Sequence, residues 1–334
     1  MIRVGVIGYG YWGPNILRNF NNGDTSQVVM VCDERPEPLR RAKQLYPYLQ
    51  TTRNSAELIC SSQVDVVAVV TPVWTHFSLA KSALENGKHV FVEKPLTLTA
   101  AEAEELVNLA EQKNLTIMVD HTFLFTGAVT KIHQLIEDGT LGNLYYYDST
   151  RVNLGLFQHD VNVIWDLAPH DISIIDYLIH EKPEAVVATA AKHLNGLEDL
   201  AFLTFYFPHN IMAHINVNWL SPVKVRTTLI GGEKKMLVWN DLEADEKIRV
   251  YDKGAENTVS GEGIYDVLVK YRTGDMWAPQ VEHTEALKKE LEYFIECVSN
   301  NQTPINDGKA GWRVVTMLEA ATQSVKQRGR LVEL

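Results

Sequence analysis

IRVGVIGYGYWGPNILRNF, residues 2–20, is the stretch from which the fold can be read. It opens with a short apolar, β-branched run, Ile2 to Gly8, of the kind that forms a strand buried on both faces. Gly8-Tyr9-Gly10-Tyr11-Trp12-Gly13 follows, and then a helical segment from Pro14 to Asn22, with Pro14 tolerated in the first turn. A second apolar run, Gln27 to Asp33, comes next. Three glycines alone could mark a mere tight turn. Between a strand and a helix they do more. The first makes the turn, the second lets backbone approach a pyrophosphate, and the third lets helix and strand pack closely. Asp33 lies twenty residues beyond Gly13, at the end of the second strand, where a carboxylate can accept hydrogen bonds from ribose hydroxyls. This unit predicts a bound dinucleotide. Asp33 would repel a 2′-phosphate and favours NAD over NADP, while Arg35 is a counter-signal, because a nearby cation can accommodate that phosphate.

Working outward, Val64 to Val70, His89 to Glu93 and Thr116 to Asp120 repeat the buried-strand texture. Pro38 to Tyr46, Trp74 to Asn86 and Ala100 to Lys113 are helix-like, the last opening with Thr99 and Glu102 at capping-box spacing. The alternation predicts an α/β fold with a doubly wound parallel sheet over residues 1–120. Beyond Asp120 the rhythm changes. Asn143 to Asn153, Ala185 to Leu194, Leu200 to Phe207, Ile211 to Trp219, Lys224 to Ile230 and Met236 to Trp239 read as longer strands separated by tight turns. Helices are expected at Asp166 to Ile179, Thr284 to Ser299 and Lys309 to Gln327. Residues 121–334 are therefore expected to form an α+β domain with an open, mostly antiparallel sheet, without a flexible linker or internal repeat.

A chain of 334 residues needs no metal or disulfide staple for stability. Its 46% hydrophobic and 22% charged residues are ordinary for a globular protein, and a net charge of −11 argues against nucleic-acid partners. No stretch approaches the ~18 uninterrupted apolar residues of a membrane span. The sparse cysteines, Cys32, Cys60 and Cys297, have no ligand spacing and fit a reducing, cytoplasmic compartment. Neither a His-Glu-x-x-His pattern nor paired Cys/His spacing appears, so no metal is expected.

Chemistry in such a fold is expected at the carboxyl ends of the strands. Thr71-Pro72, followed by His76, ends one strand, and Glu93-Lys94-Pro95 ends another. A lysine after a buried strand can exchange protons with a substrate hydroxyl; from its position alone it can equally be a loop lysine at the surface. Asp166 and His170 are four apart and share one helix face, extended by Ser173 and Tyr177. A carboxylate there can orient an imidazole and stabilise its protonated form, although an incidental surface ion pair has the same spacing.

Together, Gly-x-Gly-x-x-Gly from Gly8, Glu93-Lys94-Pro95 and Asp166-x-x-x-His170 resemble the Gfo/Idh/MocA family of oxidoreductases over essentially the whole chain. The resemblance implies an N-terminal Rossmann domain that binds NAD through Gly8, Gly10, Tyr11, Trp12, Gly13, Asp33, Arg35, Thr71, Pro72, His76, Glu93 and Lys94. It implies a second domain that binds substrate and builds a homo-oligomer, a dimer or tetramer, through its sheet. It further implies catalysis by Lys94, Asp166 and His170, with a cis bond before Pro95. His170 is then the acid/base, Lys94 partner to the oxygen and Asp166 the orienter, with Lys94 and His170 open to exchanging roles. Gly8 to Asn15, Asp120 to Phe125 and Arg151 through His170 are similar to the nucleotide-sugar 3-dehydrogenases of this family. That likeness implies oxidation of the 3-hydroxyl of UDP-N-acetylglucosamine or its uronic acid ahead of amino-sugar formation. Phe123, Arg151, Asn153, Gln158 and His159 become substrate contacts, with Arg151 suited to a diphosphate or carboxylate. Two alternatives stay open: a cyclitol or free-sugar dehydrogenase such as an inositol dehydrogenase, and a non-catalytic cofactor-sensing regulator.

Overall fold

A computed structural model describes residues 1–155, 157–158, 160–259 and 267–334. By backbone contacts the chain falls into two units, Met1–Phe125 with Thr284–Glu319, and Thr126–His283 with Ala320–Leu334.

The first unit runs β1 (Ile2–Ile7), α1 (Gly13–Asn22), β2 (Ser26–Cys32), α2 (Pro36–Leu45), β3 (Gln50–Thr52), α3 (Ser55–Ile59), β4 (Val66–Val69), α4 (His76–Glu85), β5 (His89–Val92), α5 (Ala100–Lys113) and β6 (Ile117–Val119). The strands form one parallel sheet in the order β3-β2-β1-β4-β5-β6, which is the Rossmann order. The chain winds outward from β1 and then returns to β1's other side as β4. The loops after β1 and β4 therefore diverge and leave a crevice at their carboxyl ends. Every residue of β4 is buried, as a strand covered on both faces requires. Thr99 accepts a hydrogen bond from the Glu102 N–H at the start of α5, the N-cap contact expected from the spacing.

The second unit continues with α6 (Gly127–Glu137), β7 (Leu144–Leu154), α7 (Val163–Leu178), β8 (Ala185–Ala191), β9 (Leu200–Tyr206), β10 (Met212–Asn218), β11 (Leu220–Gly232), β12 (Met236–Asn240), β13 (Ile248–Val259) and β14 (Val267–Trp277). After α8 (Ala286–Asn300) and α9 (Gly308–Lys326), the short β15 (Val332–Glu333) completes the sheet. Among the described residues its nine strands run β14-β13-β12-β11-β7-β10-β9-β8-β15, antiparallel except for the β7–β10 pair. Alternation decides its faces. Ala201, Leu203 and Phe205 of β9 and Ala213, Ile215 and Val217 of β10 are fully buried, whereas Phe202, Tyr206 and Met212 stay about 40% exposed. The open face thus carries apolar side chains, with the Phe202 ring stacked on His214.

This grouping departs from a division at residue 120 in one respect. The sequence places the segment around α8 in the second domain, but it packs on the Rossmann unit. Phe294 of α8 lies beside Phe91 and Phe20, with ring centroids 5.7 and 6.4 Å away. Arg18 and Asn19 both donate to the Glu285 carboxylate just before α8. Asn306 pairs through its backbone carbonyl and side-chain amide with Val119 at the sheet edge. Among the described residues no helix is long and apolar enough to cross a membrane.

Candidate active site

In the first unit the glycine turn has the shape expected of it. Gly8 has φ +96°, and a Cβ there would lie 2.1 Å from the Val70 carbonyl oxygen. A Cβ at Gly13 would lie 2.4 Å from the Gly8 carbonyl oxygen, so both positions are closed by the protein's own backbone. Gly10 differs. A Cβ there would meet only the Arg35 guanidinium, at 3.6 Å, so glycine keeps clear a surface that the protein does not itself fill. The α1 N-terminus has no side-chain cap; Pro14 brings no N–H, and the Asn15 N–H turns back to the Trp12 carbonyl at 2.9 Å. Tyr11 is largely exposed and meets the Trp12 ring edge-on.

Asp33, nearly buried, accepts from the Tyr9 N–H at 2.9 Å and the Arg35 N–H at 3.0 Å. The Arg35 guanidinium donates to it as well, from Nε at 3.2 Å and Nη2 at 3.4 Å. Burial opposes its ionisation, but the Arg35 guanidinium and these N–H groups outweigh it and hold the carboxyl below its ordinary range. The fixed anion fits a ribose diol, and the Gly8–Gly13 turn fits the pyrophosphate of NAD.

His76 departs from the direct cofactor role expected of it. It is 1% exposed, and its Nδ1 and Nε2 face the Pro95 and Thr71 carbonyls at 2.9 and 2.7 Å. Burial lowers its pKa. It ties the loop after β4 to the loop after β5 instead of presenting an edge to a ligand. In the first of these loops, the Thr71 hydroxyl pairs with that of Thr75 at 2.6 Å.

Lys94 follows β5 and its bond to Pro95 is cis. Around it lies a carboxyl cluster that the sequence reading did not find. Burial, reinforced by the Asp120 charge, pushes Glu93 up to about 8, with Lys94 opposing. Burial likewise raises Asp120, which takes a hydrogen bond from the Thr122 hydroxyl. Glu290 of α8, fully buried, is raised well above the usual carboxylate range by burial and by Asp120. One of its oxygens accepts from Asn306 at 2.9 Å. Its carboxyl is also paired with that of Asp120, and two carboxyls can share a hydrogen bond only when one keeps its proton. An acidic residue ending the buried strand β6 was the available signal. Glu290, 170 residues further on, had none. Phe123 is half-buried, while Phe125 packs against Tyr293.

In the second unit, α7 carries Asp166 and His170, both half-buried, on one face. Asn162 caps the helix by accepting from the Trp165 N–H, and the Trp219 indole donates to Asp166 at 3.2 Å. Trp219, which reads as a core residue, therefore also holds this carboxylate. Arg151 is corrected more sharply. It is 5% exposed, and its Nε donates to the fully buried Asp171 at 2.7 Å. Its Nη2 reaches the other oxygen of that carboxylate at 3.3 Å. A guanidinium enclosed in this way is not presented to a diphosphate. Asn153 is half-buried, the Gln158 carbonyl accepts from Asn195, and His159 lies outside the described residues. Among the described residues no group of three or more His, Cys, Asp or Glu could hold a metal ion.

Comparison with known proteins agrees with both units. Residues 2–121 match the family model described as "Oxidoreductase family, NAD-binding Rossmann fold", and residues 129–238 match the GFO/IDH/MocA C-terminal domain. The chain is 25% identical to the UDP-N-acetylglucosamine 3-dehydrogenase of Acidithiobacillus ferrooxidans, covering 98% of this chain and 99% of that one. It is 22% identical to the inositol 2-dehydrogenase of Rhizobium meliloti, covering 99% and 98%. The solved structure of the Acidithiobacillus enzyme superposes with a TM-score of 0.81 at 23% identity, covering 98% of each chain. Two matched domains in sequence order, on a Rossmann sheet followed by an open antiparallel one, establish that the chain belongs to the Gfo/Idh/MocA family of oxidoreductases.

Proposed function

We propose that this dehydrogenase oxidises the 3-hydroxyl of a UDP-N-acetylhexosamine, or of its uronic acid, to a ketone with NAD. The observation that carries this reading is the match along the whole chain to the UDP-N-acetylglucosamine 3-dehydrogenase. When bound, the nicotinamide supplies the hydride acceptor. Lys94 partners the substrate oxygen, His170 takes the hydroxyl proton, and Asp166, itself held by the Trp219 indole, orients His170. One observation favours a second reading, a cyclitol or free-sugar dehydrogenase. The burial of Arg151 removes the arginine expected at a diphosphate, and inositol dehydrogenases match at similar identity. A panel with NAD separates the two: UDP-N-acetylglucosamine, its uronic acid, free N-acetylglucosamine and myo-inositol, each with and without 2-oxoglutarate, followed by product analysis. Turnover confined to UDP-sugars is the expected result. Turnover of inositol or the free sugar alone transfers the assignment to the second reading.

The Asp33 carboxylate supports NAD in preference to NADP. Substitution Asp33→Ser, which leaves Arg35 without its anion, should shift the ratio of kcat/KM values toward NADP by about 10- to 100-fold. An unchanged ratio in steady-state assays with both cofactors would remove Asp33 as the discriminating group.

A further inference from the structure

Helix α7 has Pro169 in its interior, between Asp166 and His170. Proline has no N–H to give the Trp165 carbonyl four residues back, so the helix is weakest between the two residues whose spacing matters most. Each side of this break is anchored separately. Before it, the Trp165 indole donates to the Thr322 hydroxyl at 2.9 Å, and the Trp219 indole donates to Asp166. After it, the anchor is Asp171, the residue next to His170. Its carboxylate takes Arg151 Nε and the Ser149 hydroxyl, both at 2.7 Å, with the Tyr147 hydroxyl at 3.4 Å. Residues 147, 149 and 151 alternate along β7 and so present one face to α7.

Stability alone does not account for an ion pair here. Two buried charges lose much of their attraction to desolvation, and apolar residues of similar volume often serve as well or better. What the pair adds is direction. A guanidinium fork gripping both oxygens of a carboxylate fixes distance and rotation together. We propose that the Arg151–Asp171 pair is a positioning device for His170, locking the half of α7 beyond Pro169 onto β7 and so setting His170 against Asp166. This deepens the proposed function and rests on His170 acting as acid/base.

The double variant Arg151→Met/Asp171→Leu removes both charges together, avoiding an unpaired buried ion. Folding is checked by cooperative melting. The first readout needs no substrate: the imidazole signals of 15N-histidine-labelled protein, with His170 assigned from His170→Gln. The His170 signal should shift while signals from the other histidines stay in place. The second readout uses UDP-N-acetylglucosamine and NAD. There kcat should fall on the order of 10- to 100-fold, with KM for the sugar changed by less than about threefold and Arg151→Lys intermediate. A folded double variant with an unmoved His170 signal, or with kcat within about twofold of wild type, overturns the proposal. If the double variant does not fold, Arg151→Lys decides by the same two readouts. If the wild-type enzyme turns over no nucleotide sugar, the substrate reading fails on its own and the imidazole signal alone decides the positioning role.

Discussion

Replacing Lys94 with Ala is expected to lower turnover by about 10³-fold or more, with NAD affinity within about threefold of wild type. The two effects separate because the proposed site leaves the pyrophosphate and ribose to the Gly8–Gly13 turn and Asp33, whereas Lys94 stands at the end of another strand, β5. Its ammonium lies close enough to Glu93 and Asp120 to favour the ionised form of each. In the proposed reaction that ammonium is a cationic hydrogen-bond donor to the substrate oxygen while His170 takes the proton. Lys94→Arg separates charge from placement. A guanidinium keeps the charge but replaces a compact ammonium with a planar fork, so this variant should also be inactive. Reduced-nicotinamide absorbance gives turnover, and fluorescence titration with NAD gives affinity. If Lys94→Ala turns over within tenfold of wild type, Lys94 is not the partner of the reacting oxygen.

The second large effect concerns pH. Glu93 and Glu290 titrate higher in the fold than in the unfolded chain, so the folded state binds more protons above the ordinary carboxylate range. The sign follows. Their contribution is intact below about pH 4.5 and is lost as pH rises toward the folded value, about 8 for Glu93. Asp33 and Glu285 are lowered instead, and their contributions disappear only in acid, as pH falls through their folded values. Wild-type melting temperature should therefore decline between pH 6 and pH 8.5. Glu290→Gln should flatten that decline, because the amide oxygen still accepts from Asn306 while the amide N–H supplies Asp120 with a permanent donor. At pH 8.5 the variant should melt higher by an amount on the order of 5 °C. Parallel melting curves across that range would show that Glu290 is not part of the titrating cluster.

The Rossmann sheet was legible because strands covered on both faces must be apolar throughout, and Val66 to Val69 leaves no other reading. Strands β7 to β12 were legible from alternation and tight turns. What escaped was short or polar. The three residues of β3 and the five of α3 are too few for a period to register. In β13 and β14, Asp252, Lys253, Gly254 and Asp275 interrupt the apolar pattern. Helix α6 has its N-cap, Thr126, and an apolar stripe at Val129, Ile132 and Leu135, but it lies where a strand-rich rhythm begins. The candidate site divides in the same way. The Gly8–Gly13 turn and Asp33 are constrained by local backbone geometry, which a sequence displays. The surroundings of Arg151 are not local. Its partner is twenty residues away on another element, and nothing in a string of letters distinguishes an arginine facing a ligand from one enclosed by an aspartate. Asp120, Glu290 and Asn306 meet only because α8 returns to the first sheet.

That return has a consequence for the order in which the protein can be made. The rings of Phe20 and Phe91 leave the ribosome early, but the ring that covers them, Phe294, is specified about 200 residues later. At roughly 5–20 residues per second, the nascent Rossmann half waits on the order of 10–40 s with an apolar surface uncovered and its β6 edge without Asn306. Until α8 is made, that half keeps uncovered an apolar surface that its own fold later buries, so its native packing needs a long-range closure and not local folding alone.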